Sequence, residues 1–327
     1  MILTVANPYF GKNFAEFLIL FIQRMSELVI GKISISDLAS DEVQVLVLSL
    51  VACASALVGT FLVLKKMTML ANSLSHTILL GIVVAYLILL PFLSEQEIHA
   101  HVLSIKALLL ASLTTGLITT LLTQMLTHLL KLQEDASTVL VFTTLFALGI
   151  VLVTVFTRNT HLGTEAIMGN VDALHVHDLK LIFWIALFDF AVIGLFFKEF
   201  KVTTFDSSLA DAQGFSSYLF NYLLMVLTSA TVIGAFRAVG VLLVLAFLVG
   251  PVLSARLITH RLKTLIFLAA GIGTVAALIS VALSRHLLSV YHIPLSTAGL
   301  ATTVLGAIYF LSLGIKGIFN RIDLLRN

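Results

Sequence analysis

Stretches of about twenty apolar residues recur along the whole chain, and they decide what it can fold into. A helix of that length crosses about 30 Å of hydrocarbon. The chain has 327 residues, of which 59% are apolar and 11% charged, with a mean hydropathy of +1.10. A soluble domain carries about 25% charged residues, so there is too little polar sequence here to cover a water-facing surface. The expected fold is all-α, a polytopic transmembrane helical bundle. The net charge of +2 is too small to point to nucleic acid.

About nine spans are expected, at 44–64, 73–92, 105–129, 138–157, 179–198, 217–236, 239–258, 264–284 and 296–318. Gly234, Arg237 and Gly240 mark the turn between the sixth and seventh, with a single broken helix as the alternative. The organisation is then an N-terminal segment, 1–43, followed by a transmembrane domain, 44–327. In the N-terminal segment Phe14, Phe17, Leu18, Phe21, Ile22, Met25, Leu28 and Val29 recur at helical spacing among Glu16, Gln23, Arg24 and Glu27. That pattern predicts an amphipathic helix lying at the membrane interface, with an uncleaved signal anchor as the competing reading.

Basic residues orient the bundle. With Lys65 and Lys66 inside, Lys131, Lys198, Lys201, Arg256, Arg261, Lys263, Lys316, Arg321 and Arg326 also fall inside, and the C-terminus is cytoplasmic. The outer connections then hold His99, His101, His161, His175 and His177 beside Glu95, Glu97, Glu165, Asp172 and Asp178. Imidazole and carboxylate suit first-row divalent ions, although any exposed loop can carry such residues. The one cysteine, Cys53, lies in an apolar run and reads as a small packing residue; neither an intrachain disulfide nor a CxxC site is available. No G-x-x-x-x-G-K-[ST] phosphate loop is present, so any nucleotide hydrolysis has to come from another chain.

Ionisable and polar groups inside a span cost several kcal/mol, and each is a functional candidate. Asn72 and His76, four residues apart, share one helical face, with Ser73 and Ser75 between them and Gly81 a turn later. An oxygen ligand and an imidazole at that spacing can grip one metal ion; a polar patch bonded to a neighbouring helix is the alternative. Asp189 stands alone mid-span and has to pair, protonate or bind a cation. After the fifth span, the polar segment from Lys201 to Gly214 holds Asp206 ahead of a short helix-forming run that presents Leu209 and Ala210. A surface helix there can dock a cytoplasmic motor; a plain connecting turn is the alternative.

Taken together these segments resemble the permease family of ABC importers for manganese, zinc and iron. Ala71-Asn72-Ser73-Leu74-Ser75-His76 is similar to that family's Gly-Asp-Ala-Leu-Ser-His motif. Phe205-Asp206 followed by Leu209-Ala210 and Gly214 is similar to its Phe-Asp-x-x-Leu-Ala-x-x-x-Gly loop, and the run from Arg237 to Arg256 is similar to its arginine-alanine-valine-glycine stretch. The resemblance covers residues from about 44 onward.

It implies a membrane permease subunit of an ATP-driven importer of Mn, Fe or Zn in a bacterial cytoplasmic membrane, with no permanently bound cofactor. The expected partners are a cytoplasmic ABC ATPase docked on Phe205, Asp206, Leu209, Ala210 and Gly214, an extracytoplasmic metal-binding lipoprotein, and a second permease. Asn72 and His76 fall on the family's metal path, but Asn72 stands where the family has aspartate. A carboxylate elsewhere, such as Asp189, an unlike permease partner, or a different metal would each account for that exchange. An ion-gradient-driven carrier using Asp189 and His76 is the competing class. A zinc peptidase is disfavoured because no H-E-x-x-H occurs.

Overall fold

The structure, a computed structural model, describes residues 7–89, 105–157 and 171–326. The regular structure in this region is helical: α1 Phe14–Val29, α2 Ser40–Lys65, α3 Thr68–Leu89, α4 Ile105–Leu129, α5 Glu134–Leu152, α6 Val176–Leu195, α7 Phe197–Phe205, α8 Ser207–Ala212, α9 Ser217–Val239, α10 Val241–Ile258, α11 Leu262–Tyr291 and α12 Thr297–Arg326. Among the described residues there is no strand. Among the described residues five stretches are long and apolar enough to cross a membrane: Ser40–Lys65, Asp135–Val155, Ser217–Phe236, Leu262–Tyr291 and Thr297–Ile318. A sixth is added if α6 and α7, bent by 73° at Phe196, count as one span.

The chain divides into two compact units. The first comprises the stretch up to Thr60, residues 170–187, and everything from Ala238 onward. In it α10, α11 and α12 pack on one another and α1 lies on α11. Small residues permit the close approaches that hold helices together in lipid. A methyl group at Gly59 on α2 would collide with the Leu248 backbone carbonyl of α10, and one at Gly273 on α11 would sit 2.8 Å from the Ala52 Cβ.

The N-terminal segment is fastened to this unit by charge. Asp41 and Glu42 occupy the first turn of α2, where the helix dipole favours anions. Glu42, fully buried, takes a hydrogen bond from the Tyr9 hydroxyl at 2.8 Å and from the Ala39 backbone N–H at 2.7 Å, and pairs with the Arg24 guanidinium. Asp41 takes a hydrogen bond from Asn7 at 2.7 Å and pairs with Arg285 of α11. Helix α1 lies over the apolar spacing that predicts it, with part of its apolar face against the protein and part exposed. Phe17 is fully buried and Phe14, Leu18, Phe21, Met25 and Leu28 are half-buried, whereas Ile19, Ile22 and Val29 are exposed.

The second unit comprises 61–169 and 188–237. Here α3 packs against α4 and α5, which also pack on each other. A methyl group at Gly149 on α5 would lie 3.1 Å from the Leu80 backbone nitrogen, so glycine is what lets α3 come this close. Phe200 of α7 is fully buried between Phe61 and Phe220, with ring centroids 5.5 and 5.4 Å away, and this cluster anchors the bent helix. Lys65 donates to the Asn221 side-chain oxygen nearby.

Two expectations need correction. The turn between α9 and α10 is made at Gly240 alone; Gly234 and Arg237 are helical. Gly240 has φ 82° and ψ 160°, a conformation that an L side chain rarely adopts, so the chain turns where a Cβ is missing. Cys53 is exposed on α2 and does not fill a packing site.

Candidate functional site

Asn72 and His76 lie on α3, one helical turn apart and both half-buried. The His76 ring sits against two aromatic rings of α5, Phe142 and Phe146, with centroids 5.3 and 5.5 Å away. Those phenylalanines restrict how the imidazole can turn, a contact the α3 motif gives no hint of. Ser73 and Thr77, on the same helix, are buried.

Asp189, on α6, is fully buried. The Thr231 hydroxyl of α9 donates to its Oδ2 at 2.6 Å, and its Oδ1 has no hydrogen-bond partner among the described residues. The structure thus brings Asp189 to Thr231, a residue that sequence reasoning had no reason to single out. Among the described residues no three His, Cys, Asp or Glu side chains gather where they could hold a metal ion. His99, His101, His161, Glu95, Glu97 and Glu165 lie outside the described residues. Of the described members of the outer-loop set, the Asp178 carboxylate accepts the His175 backbone N–H at 3.0 Å ahead of α6, and Asp172 accepts the Thr297 hydroxyl.

The segment after α6 is a built element. Asp206 is the N-cap of α8, its Oδ1 accepting the Leu209 backbone N–H at 2.9 Å. At the other end the Phe215 N–H bonds the Ala210 carbonyl at 2.9 Å and the Gly214 N–H the Asp211 carbonyl at 3.1 Å, with Gly214 at φ 86°. That pair of bonds is the Schellman closure, and the left-handed residue it needs is glycine. Asp211 accepts the Ser217 N–H and the Ser217 hydroxyl returns to the Ser207 carbonyl, both at 2.9 Å, tying α8 to the start of α9. Phe205 and Leu209 are exposed. Ala210, expected on the presented face with Leu209, is instead fully buried, so it seats the helix.

These features define a polytopic helical membrane protein with a structured connecting knob between two of its helices. Residues 42–316 match the ABC 3 transport family, and the chain belongs to that family: it is a membrane permease subunit of an ABC transporter, not an enzyme. That membership excludes the gradient-driven carrier. The chain is 42% identical over 94% of its length to a "Probable metal transport system membrane protein" of Chlamydia trachomatis serovar D, of which the match covers 93%. It is 34% identical to the manganese transport system membrane protein MntD of Bacillus subtilis, over 70% of this chain and 78% of that one. Among solved structures it is similar in fold to PsaBC from Streptococcus pneumoniae in complex with Fab, with a TM-score of 0.67 and 22% identity over 90% of this chain and 95% of that one.

Proposed function

We propose that this permease carries a divalent first-row transition metal ion, Mn, Zn or Fe, inward across a bacterial cytoplasmic membrane. The observation that carries this reading is the near-full-length similarity to a metal transport system membrane protein, combined with the shorter match to a manganese permease. His76 and Asn72 are the groups proposed to meet the ion on its way. Imidazole suits all three metals, and the amide oxygen of Asn72 is a weaker, neutral donor. Asp189 is the carboxylate available to complete the donor set, with one oxygen uncommitted within the described residues.

In this reading the chain crosses the membrane about nine times with its C-terminus in the cytoplasm, and the segment 1–43 lies on the outer side. An ABC ATPase docks against Phe205, Asp206, Leu209 and the turn at Gly214, seated by Ala210. An extracytoplasmic metal-binding lipoprotein delivers the ion, and a second permease completes the path. The test is metal uptake by vesicles holding the assembled transporter, with and without ATP, for wild type and His76→Ala. ATP-dependent uptake that His76→Ala abolishes is the expected result. Uptake indifferent to His76→Ala would remove the residue from the path.

A further inference from the structure

The seam between α4 and α9 in the second unit is unlike a dry helix contact. A methyl group at Gly116 would run into the Ser229 hydroxyl and lie 3.3 Å from the Ile233 Cδ1, and Gln124 Nε2 reaches the Met225 sulfur at 3.5 Å. These two contacts fix which face of α4 meets α9. Thr120, Thr123 and Gln124 follow Gly116 by four, seven and eight residues and therefore lie on that same face.

The four polar residues along the seam are nine-tenths or more buried: Thr120 1% exposed, Thr123 0%, Gln124 6% and Ser229 2%. The hydroxyl oxygens of Thr120, Thr123 and Ser229 and the Oε1 of Gln124 have no hydrogen-bond partner among the described residues. Their neighbours behave differently. Thr119 and Thr127 turn back onto their own helix, donating to the Thr115 and Thr123 carbonyls at 2.7 and 2.8 Å. Thr120 and Thr123 make no such bond.

A buried polar atom left without a partner costs about 1–3 kcal/mol, so four along about 12 Å of helix call for a ligand. The ligand has to donate, since the amide oxygen only accepts, and the three hydroxyls let it accept as well. A neutral ligand meets this demand: neither Ile105–Leu129 nor Ser217–Val239 contains an acid, and the Asp189 carboxylate is bonded to Thr231, not to these four atoms. We infer that the α4–α9 seam is a water-binding site, in which ordered waters bridge Thr120, Thr123, Gln124 and Ser229 inside the span. Internal waters of this kind typically make about three hydrogen bonds to groups the protein leaves unpaired.

The test compares Thr123→Val with Thr123→Ser in the purified full chain, and repeats the pair at Thr120. If waters bridge the seam, Val strips them of a partner and Ser keeps it, so the thermal midpoint is lower for Val than for Ser. If the seam is dry, Val removes an orphan hydroxyl and keeps the methyl packing, so its midpoint is higher than that of Ser, which overturns the proposal. An experimental density map gives a second reading. Oxygen-sized peaks within hydrogen-bond reach of two or more of the four atoms support the site, and an empty seam refutes it.

Discussion

The Arg24 guanidinium pairs with the Glu42 carboxylate, and the acid of the pair is fully enclosed. Arg24 belongs to α1 and Glu42 to the first turn of α2, so this contact holds the N-terminal segment on the first unit. Removing the arginine leaves a buried negative charge whose remaining partners are the Tyr9 hydroxyl and the Ala39 N–H. Arg24→Ala is expected to cost about 3–5 kcal/mol. The Arg24→Ala, Glu42→Gln double variant should lose less than the sum of the single losses. Denaturation midpoints of the four proteins in one detergent check this; additive losses would show that the pair does not act as a unit.

Tyr9 gives a pH dependence to the same fastening. Burial first, and then its hydrogen bond to Glu42, push the phenol above its ordinary range. A group raised in the folded state contributes fully below its unfolded value, about pH 10 for tyrosine, and loses that contribution as pH rises further. Stability is therefore expected to be flat in this term up to about pH 10 and to fall above it. Tyr9→Phe should start about 1 kcal/mol lower at neutral pH and show a shallower alkaline fall. Equal slopes for both proteins above pH 10 would exclude Tyr9 as the source.

At Gly59 the Leu248 carbonyl occupies the place of a side chain. The obstacle is backbone, which cannot swing aside, so Gly59→Ala should cost about 1–3 kcal/mol. Gly299→Ala is the control, since nothing lies within 4 Å of an added methyl there. The expected order of thermal midpoints is wild type and Gly299→Ala together, Gly59→Ala well below.

Asp206 caps α8 through a single carboxylate oxygen. Asp206→Ala should lose about 1 kcal/mol of local stability, while Asp206→Asn, which keeps an acceptor, should lose little. If α8 is where the ATPase docks, co-purification of the ATPase should drop for Ala and survive for Asn. Leu209→Asp, which alters the exposed face without touching the cap, should abolish it. Unchanged co-purification for Leu209→Asp would move the docking surface elsewhere.

The helices were readable because the expected spans are apolar runs bounded by charge or glycine: among the described residues each expected stretch overlaps a helix, and five, or six with the bent α6–α7, are long and apolar enough to cross a membrane. What the pattern could not reveal was direction. The spacing of Phe14, Phe17, Phe21 and Met25 announces a one-sided helix but not whether the apolar side meets lipid or protein. The answer lay in Glu42, an acid just ahead of an apolar run that needed a buried cation, and Arg24 supplies it. Likewise Asp206 was legible as a cap, being local chemistry, whereas Thr231 beside Asp189 and Phe142 beside His76 are contacts between distant parts of the chain and leave no local mark.

Helix α8 has six residues, too few to persist by itself in water. The Asp206 cap, the Gly214 closure and the Ser217 ties hold it without outside help. A partner arriving at this knob therefore finds its shape already set. Association need not wait for a segment to order, and the entropy of fixing these residues drops out of the binding equilibrium. Binding here should show the small heat-capacity change of two rigid surfaces meeting, not the large one of folding upon contact.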